Sequence, residues 1–126
     1  MSFLTKTDVN GRLDPMSEIK NYTKKPVTIE AIQVVDEESK KKAVAWIAEN
    51  TSGLYVSDDI QKRYMEGLPL PKDGVVINAK TEKMSIFTLE GRMDVSDGDF
   101  VIRGLVGEFY ACKPDIFWDS YREARA

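Results

Sequence analysis

Two adjacent lysines stand directly before the first apolar run of the chain. Lys24 and Lys25 follow Tyr22 and Thr23, and Pro26 comes next. Two ammonium groups beside a hydroxyl and an aromatic ring can hold a phosphate group and stack against a nucleobase. The other interpretation is a solvated strand end, because lysines commonly protect exposed edges from pairing. The sequence leaves both interpretations open.

A second set of polar groups follows the strand-like runs of the C-terminal third. Arg103 and Lys113 each end a predicted strand, and Tyr110 lies between them. The two cations would form a rim for phosphate, and the phenol ring would stack on a base. Neighbouring antiparallel strands run in opposite directions, so their C-terminal ends lie at opposite ends of the sheet. The sequence therefore does not fix whether the two cations meet. Tyr110 can equally belong to the core.

Two carboxylates complete the candidate set. Glu30 lies inside the first apolar run, and Glu108 begins the last predicted strand. A carboxylate within a sheet needs a partner, because burying it unpaired is costly. It could accept hydrogen bonds from a base edge, or it could form a structural ion pair with lysine or arginine. The candidate ligand-binding residues are therefore Lys24, Lys25, Glu30, Arg103, Glu108, Tyr110 and Lys113.

The residue types that the chain lacks exclude several kinds of chemistry. It has no histidine and a single cysteine, Cys112. Ser-His and Cys-His triads are therefore excluded, as are an intramolecular disulfide and a thiolate metal cluster. Asp94, Asp97 and Asp99 lack the spacing of a calcium-binding loop. We predict no catalytic residues, no metal and no cofactor, and hence a protein that is not an enzyme.

Net charge and hydropathy limit the classes of binding partner that we expect for this chain. The formal net charge of the 126 residues is −3, which argues against duplex nucleic acid as a partner, since such proteins carry a basic excess. A small phosphate-bearing ligand needs only a few local cations. No apolar run approaches the ~20 residues of a membrane span, and the N-terminus lacks the apolar core of a signal peptide. A free thiol fits a reducing cytosol, so we expect a cytoplasmic protein.

The pattern of strands and one helix that would position these residues predicts a small α+β domain. In this domain an antiparallel sheet packs against one main helix. Residues 1–20 are expected to be an extension, flexible or an arm for a neighbouring subunit, and residues 21–126 the single domain. Asp36 to Asn50 is predicted as the helix, because acidic residues begin it and apolar residues follow at helical spacing. Val27 to Val35 is predicted as a central strand, since both of its faces carry apolar residues.

The C-terminal half reads as strands separated by tight turns. Asp-Gly and Glu-Gly pairs between alternating apolar runs indicate hairpins, because glycine takes the positive φ that such turns need. We expect one four-stranded meander followed by a helical turn over Asp115 to Tyr121. Asp58 to Lys72 is predicted to be irregular, with at most one helical turn. The predicted strands after the helix are 54–57, 75–78, 84–89, 92–95, 100–103 and 108–112.

Several motifs occur together between residues 20 and 122. They are Lys24-Lys25-Pro26-Val27, Ile29-Glu30-Ala31 with Gln33, Thr88-Leu89-Glu90-Gly91, Gly98 to Gly104, Gly107 to Tyr110, and Cys112 to Phe117. In combination they resemble a widespread family of small phage-encoded proteins. That family is similar to phage proteins that block CBASS defence by sequestering its cyclic nucleotide signals. Residues 1–20 and the proline-rich loop at 68–71 depart from the shorter members.

The resemblance implies a homo-oligomeric sponge, a tetramer with ligand pockets between subunits, in the cytoplasm of an infected bacterium. We therefore expect a protein that binds and sequesters a cyclic dinucleotide without cleaving it. Lys24, Lys25, Arg103 and Lys113 would contact phosphates, Tyr110 would stack on a base, and Glu30 or Glu108 would bind a base edge. The alternatives are an inhibitor that binds a host enzyme directly, an enzyme that degrades the signal, and a virion accessory protein.

Overall fold

A computed structural model defines residues 18–124, together with the backbone at 6–7 and 13–14. The predicted 1–20 extension lies for the most part outside the described residues; within it, two short strands pair antiparallel. The described residues form an α+β fold, as predicted. Its elements are β1 (Lys6–Thr7), β2 (Leu13–Asp14), β3 (Glu30–Gln33), α1 (Glu37–Asn50), β4 (Leu54–Val56), α2 (Ser57–Met65), β5 (Val75–Ile77), β6 (Met84–Thr88), β7 (Gly91–Val95), β8 (Phe100–Arg103), β9 (Phe109–Cys112) and α3 (Pro114–Ser120).

The predicted main helix is confirmed as α1, and a capping box fixes its start. The Asp36 carboxylate accepts the Ser39 N–H at 2.8 Å, and the Ser39 hydroxyl accepts the Asp36 N–H at 3.0 Å. These bonds satisfy backbone donors that a helix N-terminus leaves free. The backbone hydrogen bond from Ser39 is also the main reason why the pKa of Asp36 lies below its usual value. Ala43 and Ile47 carry the buried face of the helix.

The predicted four-stranded meander is wrong, because its two hairpins belong to different sheets. The β6–β7 hairpin lies in a mixed sheet of order β4-β5-β6-β7, in which β4 and β5 are parallel. The β8–β9 hairpin lies in an antiparallel sheet of order β3-β8-β9. We call these the four-stranded and the three-stranded sheet. The individual strands fall close to their predicted positions, and it is the pairing of β7 with β8 that does not occur.

The Asp97-Gly98 segment explains the difference, because it carries the chain from one sheet to the other. Gly98 adopts a φ of +90°, as the turn prediction requires. Its N–H, however, donates to the Val34 carbonyl at 2.6 Å, and this bond directs the following strand, β8, to pair with β3. The Asp99 carboxylate accepts the Ser96 N–H at 2.9 Å and holds the crossing closed. The glycine therefore marks a positive φ, and contact with β3 determines how the next strand pairs.

β3 is shorter than predicted and lies at an edge of its sheet. Its register pairs Glu30 with Arg103 and Gln33 with Phe100, and β8 separates it from β9. Residues 27–29 precede the strand without pairing within the described chain. The apolar residues on both faces are still explained, because Val34 enters the main core and Ile29 packs beneath α3.

α2 was not predicted as a helix. The segment offers a weak apolar pattern, since Ile60 is its one buried residue. Ile60 packs with Val76 and Phe87 on one face of the four-stranded sheet, and this contact selects the helix. The loop after α2, with Pro69 and Pro71, is irregular as expected.

The main core lies between α1, the four-stranded sheet and one face of the three-stranded sheet. Ile47, Val75, Ile86 and Val101 are fully buried there. Trp46 meets Phe109 edge to face, with ring centroids 5.0 Å apart. The two sheets also touch at their edges, where the Ala111 N–H donates to the Met93 sulfur at 3.1 Å. The core thus fixes the three-stranded sheet from one side and leaves its other face for α3.

Candidate ligand-binding groove

A groove opens on the face of the three-stranded sheet that points away from the main core. It lies between residues 24–29, which approach β3, and α3 with the tail beyond it, and it encloses about 1460 Å³. We call it the α3 groove. Its floor is formed by Ile29, Ala31 and Gln33, because alternation along β3 places these side chains on the α3 side of the sheet.

An aromatic stack forms one wall of the α3 groove. Phe117 of α3 lies parallel to Phe100 of β8, with ring centroids 3.6 Å apart, and Trp118 meets both rings edge to face. Pro114 lies in the first turn of α3 and favours the start of a helix there, because the backbone N–H that proline lacks would have no partner within the helix at that position. Phe117 is buried, whereas Trp118 remains 55% exposed. The wall therefore ends in an accessible indole.

Cations outnumber carboxylates on the rim of the groove. Lys24 and Lys25 stand on one side, and Arg122 faces the same space from the C-terminal tail, together with Glu123. All four residues are exposed to solvent. The rim therefore carries three positive charges against one negative, beside an aromatic surface, and two of the predicted cations contribute to it.

Tyr110 lies under α3 and does not line the groove. It belongs to the small cluster formed by Phe100, Ile102 and Phe117. Burial raises the pKa of Tyr110 to about 12, and hydrogen bonding to Tyr121 together with the nearby Glu108 charge adds to the shift. The phenol therefore stays neutral and helps to hold the end of α3. In this arrangement Tyr110 supports the wall that Tyr121 and Trp118 complete.

Lys113 forms a structural ion pair. Its ammonium group lies 3.2 Å from the Asp99 carboxylate, which is almost completely buried. Asp99 also accepts the Ser96 N–H, so the ion pair fastens the start of α3 to the segment that crosses between the sheets. A buried carboxylate left without this partner would be strongly destabilising. The ammonium group of Lys113, which was predicted to contact a phosphate, is therefore already engaged by the Asp99 carboxylate.

The other predicted residues lie away from the groove. Arg103 places its guanidinium 5.5 Å from the centre of the Phe109 ring, on the core side of the sheet. Glu30 is its register partner and is exposed, so this carboxylate needs no buried partner. Glu108 folds against Gly104, where its Oε1 occupies the space that a Cβ would need. The structure thus brings Lys24 and Lys25 together and separates them from Arg103, Glu30 and Glu108.

Sequence reasoning missed the residues that give the groove its wall and floor. Trp118, Tyr121 and Arg122 come after the last predicted strand, and none of them was among the candidate ligand-binding residues. Gln33 reaches the floor, and its Nε2 donates to the Gly98 carbonyl at 3.1 Å. A usable signal was present: Trp118 follows Phe117 directly in a helix, so only one of the two rings can face the sheet.

Comparisons with protein-family models, with curated proteins and with solved structures found no match to this chain. Within the described residues, no helix is long and apolar enough to cross a membrane. The same part of the chain holds no cluster of three or more metal-ligating side chains. The α3 groove and the motifs in the sequence are therefore the features of this chain that bear on its function.

Proposed function

We propose that the protein binds a cyclic dinucleotide in the α3 groove and sequesters it without cleaving it. The observation that carries this proposal is an exposed indole, Trp118, beside a rim on which three cations face one carboxylate. A cyclic dinucleotide has two phosphates and two flat bases, and cations and aromatic rings are the groups that recognise them. The phage origin, the oligomer and the location in the cytoplasm of an infected bacterium belong to the same proposal, and the resemblance supports them.

The groove offers a distinct role to each group. Lys25, on the segment that approaches β3, and Arg122, on the segment after α3, both line the opening and would each contact a phosphate. Trp118 would stack on one base, because its ring is exposed and its inner edge is fixed against Phe117. The Gln33 amide on the floor would meet a base edge, since its anchored Nε2 leaves the side chain in one orientation.

The test is native mass spectrometry of the full chain with a panel of cyclic di- and trinucleotides, followed by denaturation and recovery of the ligand. We expect a mass shift and release of unchanged ligand. Lys25→Ala and Arg122→Ala should each weaken binding about tenfold, the equivalent of one charge-assisted hydrogen bond. Trp118→Ala should weaken it by a similar factor through lost stacking. Lys62→Ala, an exposed lysine of α2, is the matched control and should leave the affinity unchanged.

Each of the other results would change the assignment. Recovery of a cleaved ligand would make the protein an enzyme. Binding that persists in both Lys25→Ala and Arg122→Ala would move the ligand to another surface. The absence of a mass shift with every nucleotide would contradict the proposal.

A second candidate function is direct inhibition of a host protein, and a separate surface favours it. Tyr64, Met65, Leu68 and Leu70 are all substantially exposed at the end of α2 and in the loop after it. These four apolar side chains lie within seven residues of the chain, and grouped exposed apolar side chains are a common mark of protein-binding surfaces. Tyr64→Ala with Met65→Ala should abolish capture of a host protein if this surface binds it, while nucleotide binding at the α3 groove would be unchanged.

A further inference from the structure

The segment from residue 18 to the end of β3 forms a free edge. Residues 18–28 are all exposed, and the relative accessible surface is 105% for Ile19 and 85% for Tyr22. These residues contain neither a turn nor a bend. Within the described residues, β3 pairs with β8 on one side and with no strand on the other. We call residues 21–33 the edge segment. An unpaired edge of this length is a template for another strand.

Hydrogen bonds around the sheet show which backbone groups of the edge segment point outward. Val34 donates to the Asp99 carbonyl at 2.9 Å and accepts from Gly98, so its polar groups face β8. The Gly104 N–H donates to the Glu108 carbonyl, which directs the even-numbered residues of β8 towards β9 and leaves the odd-numbered ones for β3. Because the direction alternates along antiparallel strands, Glu30 and Ile32 face β8.

Within β3 the same alternation directs the N–H and C=O of Ala31 and Gln33 outward. Continued through residues 27–29, which contain no turn or bend, it directs those of Ile29 and Val27 outward as well. Pro26 falls on the other parity, so its missing N–H lies on the inner side and costs the outer edge no donor. The edge segment therefore keeps its outward row of donors and acceptors intact across the proline.

Charge along the edge segment favours one register for pairing with an identical copy, because only that register places a lysine of the segment opposite its glutamate. In an antiparallel pair related by a two-fold axis perpendicular to the sheet, opposed residues share a parity, because their side chains share a face. With Val27 on the axis, Lys24 lies opposite Glu30 of the partner subunit, and Lys25 lies opposite the partner's Ile29. Centring on Lys25 or on Glu30 would instead place like charges opposite each other, which is destabilising.

We propose that two copies of this chain pair antiparallel through their edge segments, with Val27 on the two-fold axis and two symmetric Lys24–Glu30 ion pairs. The three-stranded sheets would join into one sheet that runs through both subunits. The pairing satisfies the outward backbone groups of both copies and covers Val27, which is otherwise partly exposed. This inference concerns the interface alone and does not depend on a bound nucleotide.

Charge reversal provides the first test, read by analytical ultracentrifugation of the full chain without ligand. The wild-type chain should sediment as a dimer, or as a tetramer that contains this dimer. Lys24→Glu alone places two glutamates opposite two glutamates, and Glu30→Lys alone places lysines opposite lysines, so each variant should dimerise at least about tenfold more weakly. An equimolar mixture of the two variants should restore the dimer, because each chain then supplies the charges that the other needs.

A cysteine on the two-fold axis provides the second test, in a Cys112→Ser background. Hydrogen-bonded antiparallel pairs hold their Cα atoms about 5.5 Å apart, within the range of a disulfide. Val27→Cys should therefore form a cross-linked dimer under mild oxidation. Thr28→Cys is the matched control, since its two copies would lie roughly 8 Å apart and should not cross-link.

Two results would overturn the proposal. One is a wild-type chain that sediments as a monomer up to the limit of its solubility. The other is an oligomer that both single charge reversals leave unchanged and that Val27→Cys does not cross-link. The four substituted positions of the edge segment are exposed, and Cys112→Ser replaces a half-buried thiol by a side chain of similar size, so circular dichroism should show a folded chain in every variant.

Discussion

The two faces of the three-stranded sheet are covered by helices of different length, and this difference creates the groove. On the core face, the 14 residues of α1 and the four-stranded sheet enclose Val101 and Phe109. On the other face, the 7 residues of α3 reach Phe100 and Ile102 and stop there. The β3 side of that face, with Ala31 and Gln33, remains the floor of the α3 groove.

A short helix on a sheet therefore gives both a stable wall and an accessible surface. Phe117 uses one side of α3 to stack on the sheet, and Trp118 is left at the opening by the rotation between successive helical residues. A helix as long as α1 would cover β3 as well and would close the groove. The core face supplies rigidity, and the α3 face supplies the groove in which we propose that a ligand binds.

The largest effect should come from the core face. Ile47→Ala removes a fully buried side chain of α1, so the free energy of unfolding should fall by about 2–5 kcal/mol. Chemical denaturation followed by circular dichroism measures the change. An exposed alanine substitution on the same helix, Lys41→Ala, is the control and should have little effect. A fall of the same small size in both variants would contradict the description of this core.

A smaller effect is expected on the α3 face. Phe117→Ala removes the ring that stacks on Phe100, but α3 has only seven residues and one buried side chain, so it can open without unfolding the domain. The free energy of unfolding should fall by about 1–2 kcal/mol, and amide exchange should accelerate selectively in residues 114–121. Hydrogen exchange that accelerates equally in α1 would remove the distinction between the two faces.

The smallest effect is confined to alkaline pH. The pKa of Tyr110 is raised to about 12, above the usual value of 10.0, so the folded chain holds this proton more tightly than the unfolded chain. The stability that this provides is complete below pH 10 and is lost as the pH rises towards 12. A phenolate absorbance titration should show one tyrosine ionising last, and Tyr110→Phe should remove that step. A Tyr110 that ionises near pH 10 would place the phenol in solvent.

The sequence predicted the elements whose signals are local. The Asp36 cap and the apolar stripe of α1 act within a few residues, so the helix was found with its start and end. The strands of the C-terminal third were also placed close to their observed positions. Their pairing could not be read, because the partner of β8 is β3, which lies about 70 residues earlier in the chain. α2 was missed because one buried isoleucine, packed across a sheet, determines it.

The candidate site was predicted only in part, for a similar reason. Lys24 and Lys25 line the groove because they lie on the approach to β3, next to the elements that form it. Arg103 lies on the opposite face of the sheet, and the position of a side chain relative to a face depends on register, which a single sequence does not give. Lys113 was predicted to contact a phosphate, but its ammonium group pairs with the buried carboxylate of Asp99, a contact that the sequence alone did not indicate.

The contact between Met93 and Ala111 has a consequence for assembly. The Ala111 N–H points away from β8, at the outer edge of β9, and the thioether of Met93 occupies the position where a further strand would bond. One end of the three-stranded sheet is thus obstructed at this point by the protein's own side chain. In the proposed pair, strand addition at the opposite end would join two identical edges and leave neither of them free. Growth of the sheet would then stop at two copies and would not seed a fibre.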